Sequence, residues 1–381
     1  VPGASAELST DAGDGVEVKL AIVHDWLNQR GGAEDVLEAL MALYPDAPIY
    51  TSLYAPDLMP DRYRAWDIRP LWTDRLPAIH TRHQPYLPVY PIAWGGLDLS
   101  AYDVILSNKS GFCHGVRFGG RTQHVCYCLA PTRYVWGLDE YIAREGMSAA
   151  ARAALRPLVT LLKRWDYAAA QRVSHFIAIS TDIQDRVRRF YQRDSEIIFP
   201  PVDTARFQPA DGHDDYFLIV SRLIPYKRID LAVQAATALG VPLKIAGRGR
   251  DLDRLRTLAG ETVEFLGYVP DDDLPALMAR CKAFIFPGLE DFGITPVQAQ
   301  AAGRPVIAFR GGGALDTVVP GVTGELFDAL TVESLSAALR AFDPAAYDPA
   351  AIRAHALRFD TAVFNRAITA AVDAAYAASG G

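Results

Sequence analysis

In SRLIPYKRID, residues 221–230, Arg222 follows a run of Phe, Leu, Ile and Val, and Lys227 opens the next segment of helical period. A planar guanidinium fork and an ammonium point charge placed together can grip a diphosphate and stabilise it as a leaving group. Lys at a helix start is opposed by the helix dipole, so an anion nearby would account for it. The plainer alternative is a pair of surface cations. A candidate acid is Glu290, in LEDFGITPVQ at 289–298, where Glu290 and Asp291 occupy a turn between the strand AFIFPG and a helix. A carboxylate there suits a sugar with two adjacent hydroxyls. Thr295, Pro296 and Gln298 read as N-cap, first helical residue and the partner that closes a capping box, which assigns the Gln298 amide to the Thr295 N–H.

A second set lies near the start of the chain. His24 and Asp25 end the strand VKLAIVHD, and Gly31 and Gly32 precede a helix whose free N–H groups could meet a phosphate oxygen or a sugar hydroxyl. Local turn bonding and a tight turn are the bland alternatives. Gly311, Gly312 and Gly313 form another glycine-lined helix entry. Asp271, Asp272 and Asp273 invite a metal-binding reading, but they open a helix, where the dipole favours carboxylates. The stretch GRGRDL at 247–252 lacks the third glycine of a dinucleotide fingerprint.

These residues need elements to position them. From Val18 onward, short runs rich in Val, Ile and Phe alternate with segments of helical period, the pattern of parallel sheets covered by helices on both faces. The alternation occurs twice, at VKLAIVHD, PIYTSLY, YDVILS, HVCYCLA, HFIAIS and EIIFP, then at YFLIVSRL, PLKIAGRG, VEFLGYV, AFIFPG and RPVIAF. Ser148 to Arg172 reads as one long helix, and FPPVDTARFQPADGHDD, at 199–215, as the linker. The expected fold is α/β, with two doubly wound, Rossmann-like domains. Ligands bind beyond the carboxyl ends of such strands, so two facing domains make an interdomain cleft.

At 381 residues the chain accommodates two such domains. Half its residues are apolar and its formal charge is -7, which disfavours both disorder and wholesale nucleic-acid binding. Residues 1–17 read as a flexible leader, and no stretch is apolar enough to span a bilayer. The four cysteines (113, 126, 128 and 281) form no CxxC pair and read as core thiols of a reduced compartment. Arg69, Arg75, Arg82 and His83, among Trp, Tyr and Pro between 69 and 94, read either as a structured loop or as a peripheral membrane surface.

Taken together, SRLIPYKRID, LEDFGITPVQAQAAGRPVIAF and PGVTGELF resemble the GT4 family of retaining glycosyltransferases, which have the GT-B fold. The first half looks like that family's mannosyltransferase branch of bacterial polysaccharide assembly, through HDWLNQRGGAEDVLEAL and CYCLAPTRYVW. The resemblance runs from about Val18 to about Tyr376. It implies an acceptor-side domain at 18–203, a donor-binding domain at 204–359, and a last helix, 360–378, packing back on the first. It also implies a nucleotide-sugar donor, a glycan or lipid-linked glycan acceptor, no metal or other cofactor, and a cytoplasmic site of action with room for peripheral contact at the inner membrane face.

Residue by residue, the resemblance puts Arg222 and Lys227 on the donor diphosphate and Glu290 on the transferred sugar. It lines the donor site with Gly247, Asp291, Phe292, Gly293, Ile294, Thr295 and Gln298, and places Tyr268 and Val269 near the base. His24, Asp25, Gly31, Gly32, Arg133 and Tyr134 fall on the acceptor side of the cleft. Retention is usually explained in this fold by front-face attack, in which the departing phosphate oxygen accepts the proton and no enzymic base is required. The expected donor is GDP-mannose. A UDP-sugar donor, a nucleotide-sugar-binding homologue with little transfer activity and a sugar-nucleotide epimerase are the alternatives. Two positions depart from the family pattern: Gln298 stands where a second Glu closes E-x7-E, and Leu129-Ala130-Pro131 stands where the branch has His-Thr-Pro.

Overall fold

The computed structural model of the chain describes residues 18–137 and 149–380. The expected leader at 1–17, and Ser148 at the start of the long helix, lie outside the described residues. The long helix is described over Ala149–Arg172.

Among the described residues, thirteen strands form two all-parallel sheets. The first contains β1 (Leu20–His24), β2 (Ile49–Thr51), β3 (Ile68–Pro70), β4 (Val104–Lys109), β5 (Gln123–Cys128), β6 (His175–Ala178) and β7 (Glu196–Ile197), in the order β3-β2-β1-β4-β5-β6-β7. The second contains β8 (Phe217–Val220), β9 (Leu243–Ala246), β10 (Val263–Gly267), β11 (Ala283–Phe286), β12 (Val306–Phe309) and β13 (Gly324–Phe327), in the order β10-β9-β8-β11-β12-β13. Their apolar runs follow from burial on both faces: all of Leu20–His24 and all of Ala283–Phe286 are buried. Strand β3, absent from the sequence reading, is a three-residue edge strand with two exposed residues. In each sheet the order reverses beside the first strand, between β1 and β4 and between β8 and β11. Those switch points are where doubly wound folds bind ligands. Both sequence segments singled out for chemistry leave the sheets there.

The two domains share an apolar seam. Phe199 of the linker stacks on Phe292 of the donor-side turn at 5.8 Å, and both meet Phe359 edge-on, at 5.0 and 5.7 Å. The chain crosses between domains twice in the same place, because Val202 donates to the Phe359 carbonyl and accepts from Thr361, both at 3.0 Å. The last helix, Thr361–Ala378, then packs on β4 and β5 of the first domain, with Phe364 against Tyr127.

Candidate functional site

Lys227 and Glu290 form an ion pair, with side chains that are 14 % and 17 % exposed. Lys227 ends a short 3-10 turn, Pro225–Lys227, two residues before the helix Ile229–Leu239. The anion needed to offset a cation at that helix start is therefore Glu290, supplied by the loop after β11. Gly288 makes the approach possible, since a Cβ there would lie 2.8 Å from the Lys227 carbonyl oxygen. Arg222, two residues past β8, is exposed, and its guanidinium has no hydrogen-bond partner among the described residues.

The turn itself is built on Gly293, whose φ of +95° an L side chain would strain, and whose absent Cβ leaves room for the Phe286 ring 2.7 Å away. That packing corrects the expected capping box. The helix begins at Ile294 with Gly293 as its N-cap and no side-chain cap, so Thr295 and Pro296 lie inside its first turn. Pro is tolerated there because the first N–H groups of a helix have no intrahelical acceptor. Gln298, half-buried, is left with no side-chain hydrogen bond among the described residues.

Gly312 and Gly313 press against this turn. Gly313 donates to the Glu290 carbonyl at 2.9 Å, and Cβ atoms at Gly312 and Gly313 would lie 2.1 Å from Glu290 O and 2.2 Å from Phe292 Cα. The glycine run thus supports the turn through its backbone. Gly247, at φ +137°, packs in the same way on the Ser221 carbonyl, fixing the loop that carries Arg222. Tyr268 is 59 % exposed with the Arg248 guanidinium over its ring at 5.5 Å, and Val269 follows it, half-buried.

Across the cleft the N-terminal residues take different roles from those expected. Asp25 is buried and accepts from the backbone N–H groups of Ser110, Gly111 and Cys113 at 2.7, 2.5 and 2.9 Å, so its carboxylate organises the loop after β4. His24 is buried between Glu34 at 3.3 Å and Asn108 at 3.3 Å. Neither presents a free group to a ligand. Phe292, 3 % exposed, has its ring in the seam rather than in the donor site. Gly32 does face the cleft: a Cβ there would meet Ile294 Cδ1 at 3.1 Å, across the domain boundary, and Gly31 caps the same helix in extended conformation. Arg133 opens the short helix Arg133–Trp136 and pairs with Asp291 of the other domain. Its neighbour Tyr134 meets Trp26 edge-on at 6.3 Å. Among the described residues, no group of three or more His, Cys, Asp or Glu side chains gathers to hold a metal ion.

Residues 203–342 match the family described as Glycosyl transferases group 1. They are a group 1 glycosyltransferase domain. Among curated proteins, a GDP-mannose-dependent alpha-(1-6)-phosphatidylinositol monomannoside mannosyltransferase of Mycolicibacterium smegmatis is 33% identical over 170 residues, 37% of this chain and 44% of that protein. A glycogen synthase of Pseudomonas paraeruginosa is 35% identical over 149 residues, 36% of this chain and 29% of that protein. The chain thus spans less than half the length of the curated relatives it matches. Among solved structures, Anabaena Alr3699/HepE in complex with UDP and glucose superposes with a TM-score of 0.68 at 20% identity, covering 94% of this chain and 100% of that one. Sucrose-phosphate synthase from Thermosynechococcus elongatus gives 0.70 at 17% identity, covering 94% and 100%. The fold is GT-B.

The glycosyltransferase domain contains Arg222, Lys227, Gly247, Tyr268, Glu290 and Gln298. What the sequence reading missed lies outside it. Arg186, in the helix Thr181–Tyr191, donates to Asp291 Oδ1 at 2.9 Å. Lys109 and Asp166 are fully buried beneath the Arg133 loop: Lys109 donates to the Ala130 carbonyl at 2.9 Å, and Asp166 accepts from Thr132, Trp136 and Tyr191 at 2.7, 2.6 and 2.8 Å. A Lys ending the strand VILSNK, and an Asp inside a long helix, were the available signals. Leu129, where the family branch has His, is 9 % exposed and belongs to the core. The basic stretch at 69–94 divides as well: His83 is buried and stacked on Trp26 at 5.0 Å, and Arg69 is taken by Asp67 and Tyr50, whereas Arg75 and Arg82 are exposed.

Proposed function

We propose that the chain is a retaining glycosyltransferase that transfers a hexose, mannose from GDP-mannose, to a glycan or lipid-linked glycan acceptor. The observation that carries this reading is the Lys227–Glu290 pair on the loops that flank a sheet switch point, inside a group 1 glycosyltransferase domain and facing a second Rossmann-like domain. An ammonium has three N–H donors, so Lys227 can hold Glu290 and a diphosphate oxygen together. Arg222, exposed two residues past β8, adds the second positive charge, so the leaving group is neutralised by protein cations and no metal is required. Glu290, held by Lys227, then orients the hydroxyls of the sugar. The mannose assignment draws on the relatives named as GDP-mannose-dependent, with which the chain shares about a third of its residues over the matched segment.

Thermal stabilisation by GDP, UDP, ADP and dTDP, measured side by side, tests the donor, because a ligand that binds only the folded state raises stability by RT ln(1 + [L]/Kd). We expect GDP to raise the melting temperature most, and GDP-mannose then to support transfer. A rise with UDP alone would replace the donor with a UDP-hexose, and no rise with any of the four would remove the donor reading.

We extend the proposal to peripheral contact with an anionic membrane through Arg75 and Arg82, which share the 69–94 stretch with the exposed Trp72 and Ile92. No helix among the described residues is long and apolar enough to cross a membrane. Anionic vesicles should sediment the protein at low salt and release it at high salt. No sedimentation at either salt would sink the idea.

A further inference from the structure

The two carboxylates of the donor-side turn are answered from opposite domains. Glu290 is held within its own domain by Lys227, whereas Asp291 is held across the cleft, Oδ1 by Arg186 at 2.9 Å and Oδ2 by Arg133. Asp291 is 16 % exposed and Arg186 24 %, so this is not a loose surface pair. Arg186 is steadied from its own helix by Asp182 at 3.6 Å.

A second contact uses the same helix. Thr181, its first residue, gives its backbone N–H to Asp316 Oδ2 at 2.9 Å and its hydroxyl to Asp316 Oδ1. A carboxylate from the donor domain thus sits at the N-terminus of a helix in the other domain, where the dipole favours it. Asp316 follows the glycine run, and that run is bonded to the Glu290 carbonyl. The helix Thr181–Tyr191 therefore touches both segments that form the Glu290 turn. A further charged bridge between the domains among the described residues, Arg30 to Asp271 at 3.1 Å, has both side chains nearly half exposed and lies apart from the turn.

We infer that Asp291 is a positioning residue, not a donor ligand: with Arg186 and Arg133 it clamps the helix Thr181–Tyr191 and the Arg133 loop onto the Glu290 turn, and so sets the distance between acceptor side and donor side. The inference rests on the proposed transfer reaction for its consequence, since a displacement of about 1 Å between reacting groups costs roughly 100-fold in rate. It rests on geometry alone for the clamp. Opening the domains separates Asp291 from both arginines and Thr181 from Asp316 while leaving Lys227–Glu290 intact, because that pair lies wholly in the donor domain.

The test uses the full chain with Arg186→Asp, Asp291→Arg and the double exchange, read by small-angle X-ray scattering, by calorimetric titration with GDP and UDP, and by transfer kinetics. Each single reversal should raise the radius of gyration and lower kcat about 100-fold, with nucleoside diphosphate affinity unchanged. The double exchange should restore compactness and kcat in part, above either single reversal, since Arg133 and Asp182 then face like charges at positions 291 and 186. Thr181→Val with Asp316→Asn, which changes no Arg, should loosen the domains in the same direction. Scattering that is identical for all variants overturns the clamp whatever the activity. Nucleotide affinity that collapses in Arg186→Asp without expansion also overturns it, by placing Arg186 in the donor site. If the wild-type chain binds no nucleotide and transfers no sugar, the glycosyltransferase reading fails while the scattering comparison, which needs no substrate, still decides the clamp.

Discussion

At the scale of single residues, Lys227 and Gln298 divide the work expected of a donor site. Lys227 is nearly buried and already holds Glu290; in the proposed transfer it stands where charge develops as a diphosphate departs, so its proposed contribution belongs to the transition state. Lys227→Ala should lower kcat by roughly 100- to 1,000-fold, the usual effect of removing one preorganised donor, and should leave Glu290 partly buried without its partner. Gln298 is different. Its amide is half-buried and unengaged, and we propose that its position, which the resemblance puts in the donor site, faces the ribose of the nucleotide. A carboxylate there offers charge-assisted acceptance at both oxygens where the amide offers one neutral oxygen. Gln298→Glu should therefore tighten nucleoside diphosphate binding by about 1–3 kcal/mol, roughly 5- to 150-fold in Kd, with kcat little changed. Titration calorimetry and initial rates on the two variants separate these effects. A weaker Kd in Gln298→Glu would mean that position 298 does not face the ribose.

Among elements, the strands were legible because a sheet buried on both faces demands continuous runs of Val, Ile, Leu and Phe, and such runs carry the same meaning wherever they occur. The edge strand β3 has only three residues, two of them exposed, so it left no comparable run. The Glu290 turn was legible in part. Its glycine and acid were visible, but the start of its helix is set by the Phe286 ring under Gly293, a tertiary contact that overrides the local Thr-Pro-x-Gln signal. The partners of Asp291 were not legible at all. In the helix TDIQDRVRRFY, Ile183, Val187 and Tyr191 mark the buried face, and Arg186 falls on the charged side, where a pair with Asp182 one turn earlier would explain it fully. Which charged side chains meet a second domain depends on how the domains close, and periodicity within a segment holds no record of that. Asp25 failed as a ligand for a related reason: a carboxylate at a strand end serves a loop's N–H groups as readily as a substrate, and here the loop after β4 supplies three.

For the molecule as a whole, the acceptor-side domain places neutral histidines in its interior, and this ties its stability to pH. His124 is fully buried, with Nε2 at 2.9 Å from Ser107 Oγ and its ring edge-on to Phe118 at 5.3 Å. Burial, with His114 and Arg172 nearby, lowers its pKa to about 3. His114 is buried against Asp166 and is likewise held well below the ordinary histidine value, by burial first and then by the Lys109 charge. In the unfolded chain both titrate near 6.5. The sign follows: the unfolded state takes up protons that the folded state refuses, so stability is complete above about pH 6.5 and falls as pH drops below it, until the folded state itself protonates. At pH 5 the loss is about 2 kcal/mol for His124, since each pH unit below 6.5 is worth about 1.36 kcal/mol, and His114 adds to it in the same direction. Urea unfolding of the whole chain, followed by tryptophan fluorescence at pH 7, 6 and 5, should show the midpoint falling with pH. His124→Gln should start from a lower stability at pH 7 but lose less than wild type on acidification, because one of the buried histidines that refuse a proton in the folded state is gone. An equal acid slope in wild type and His124→Gln would mean that position 124 protonates in the folded state as readily as in the unfolded chain.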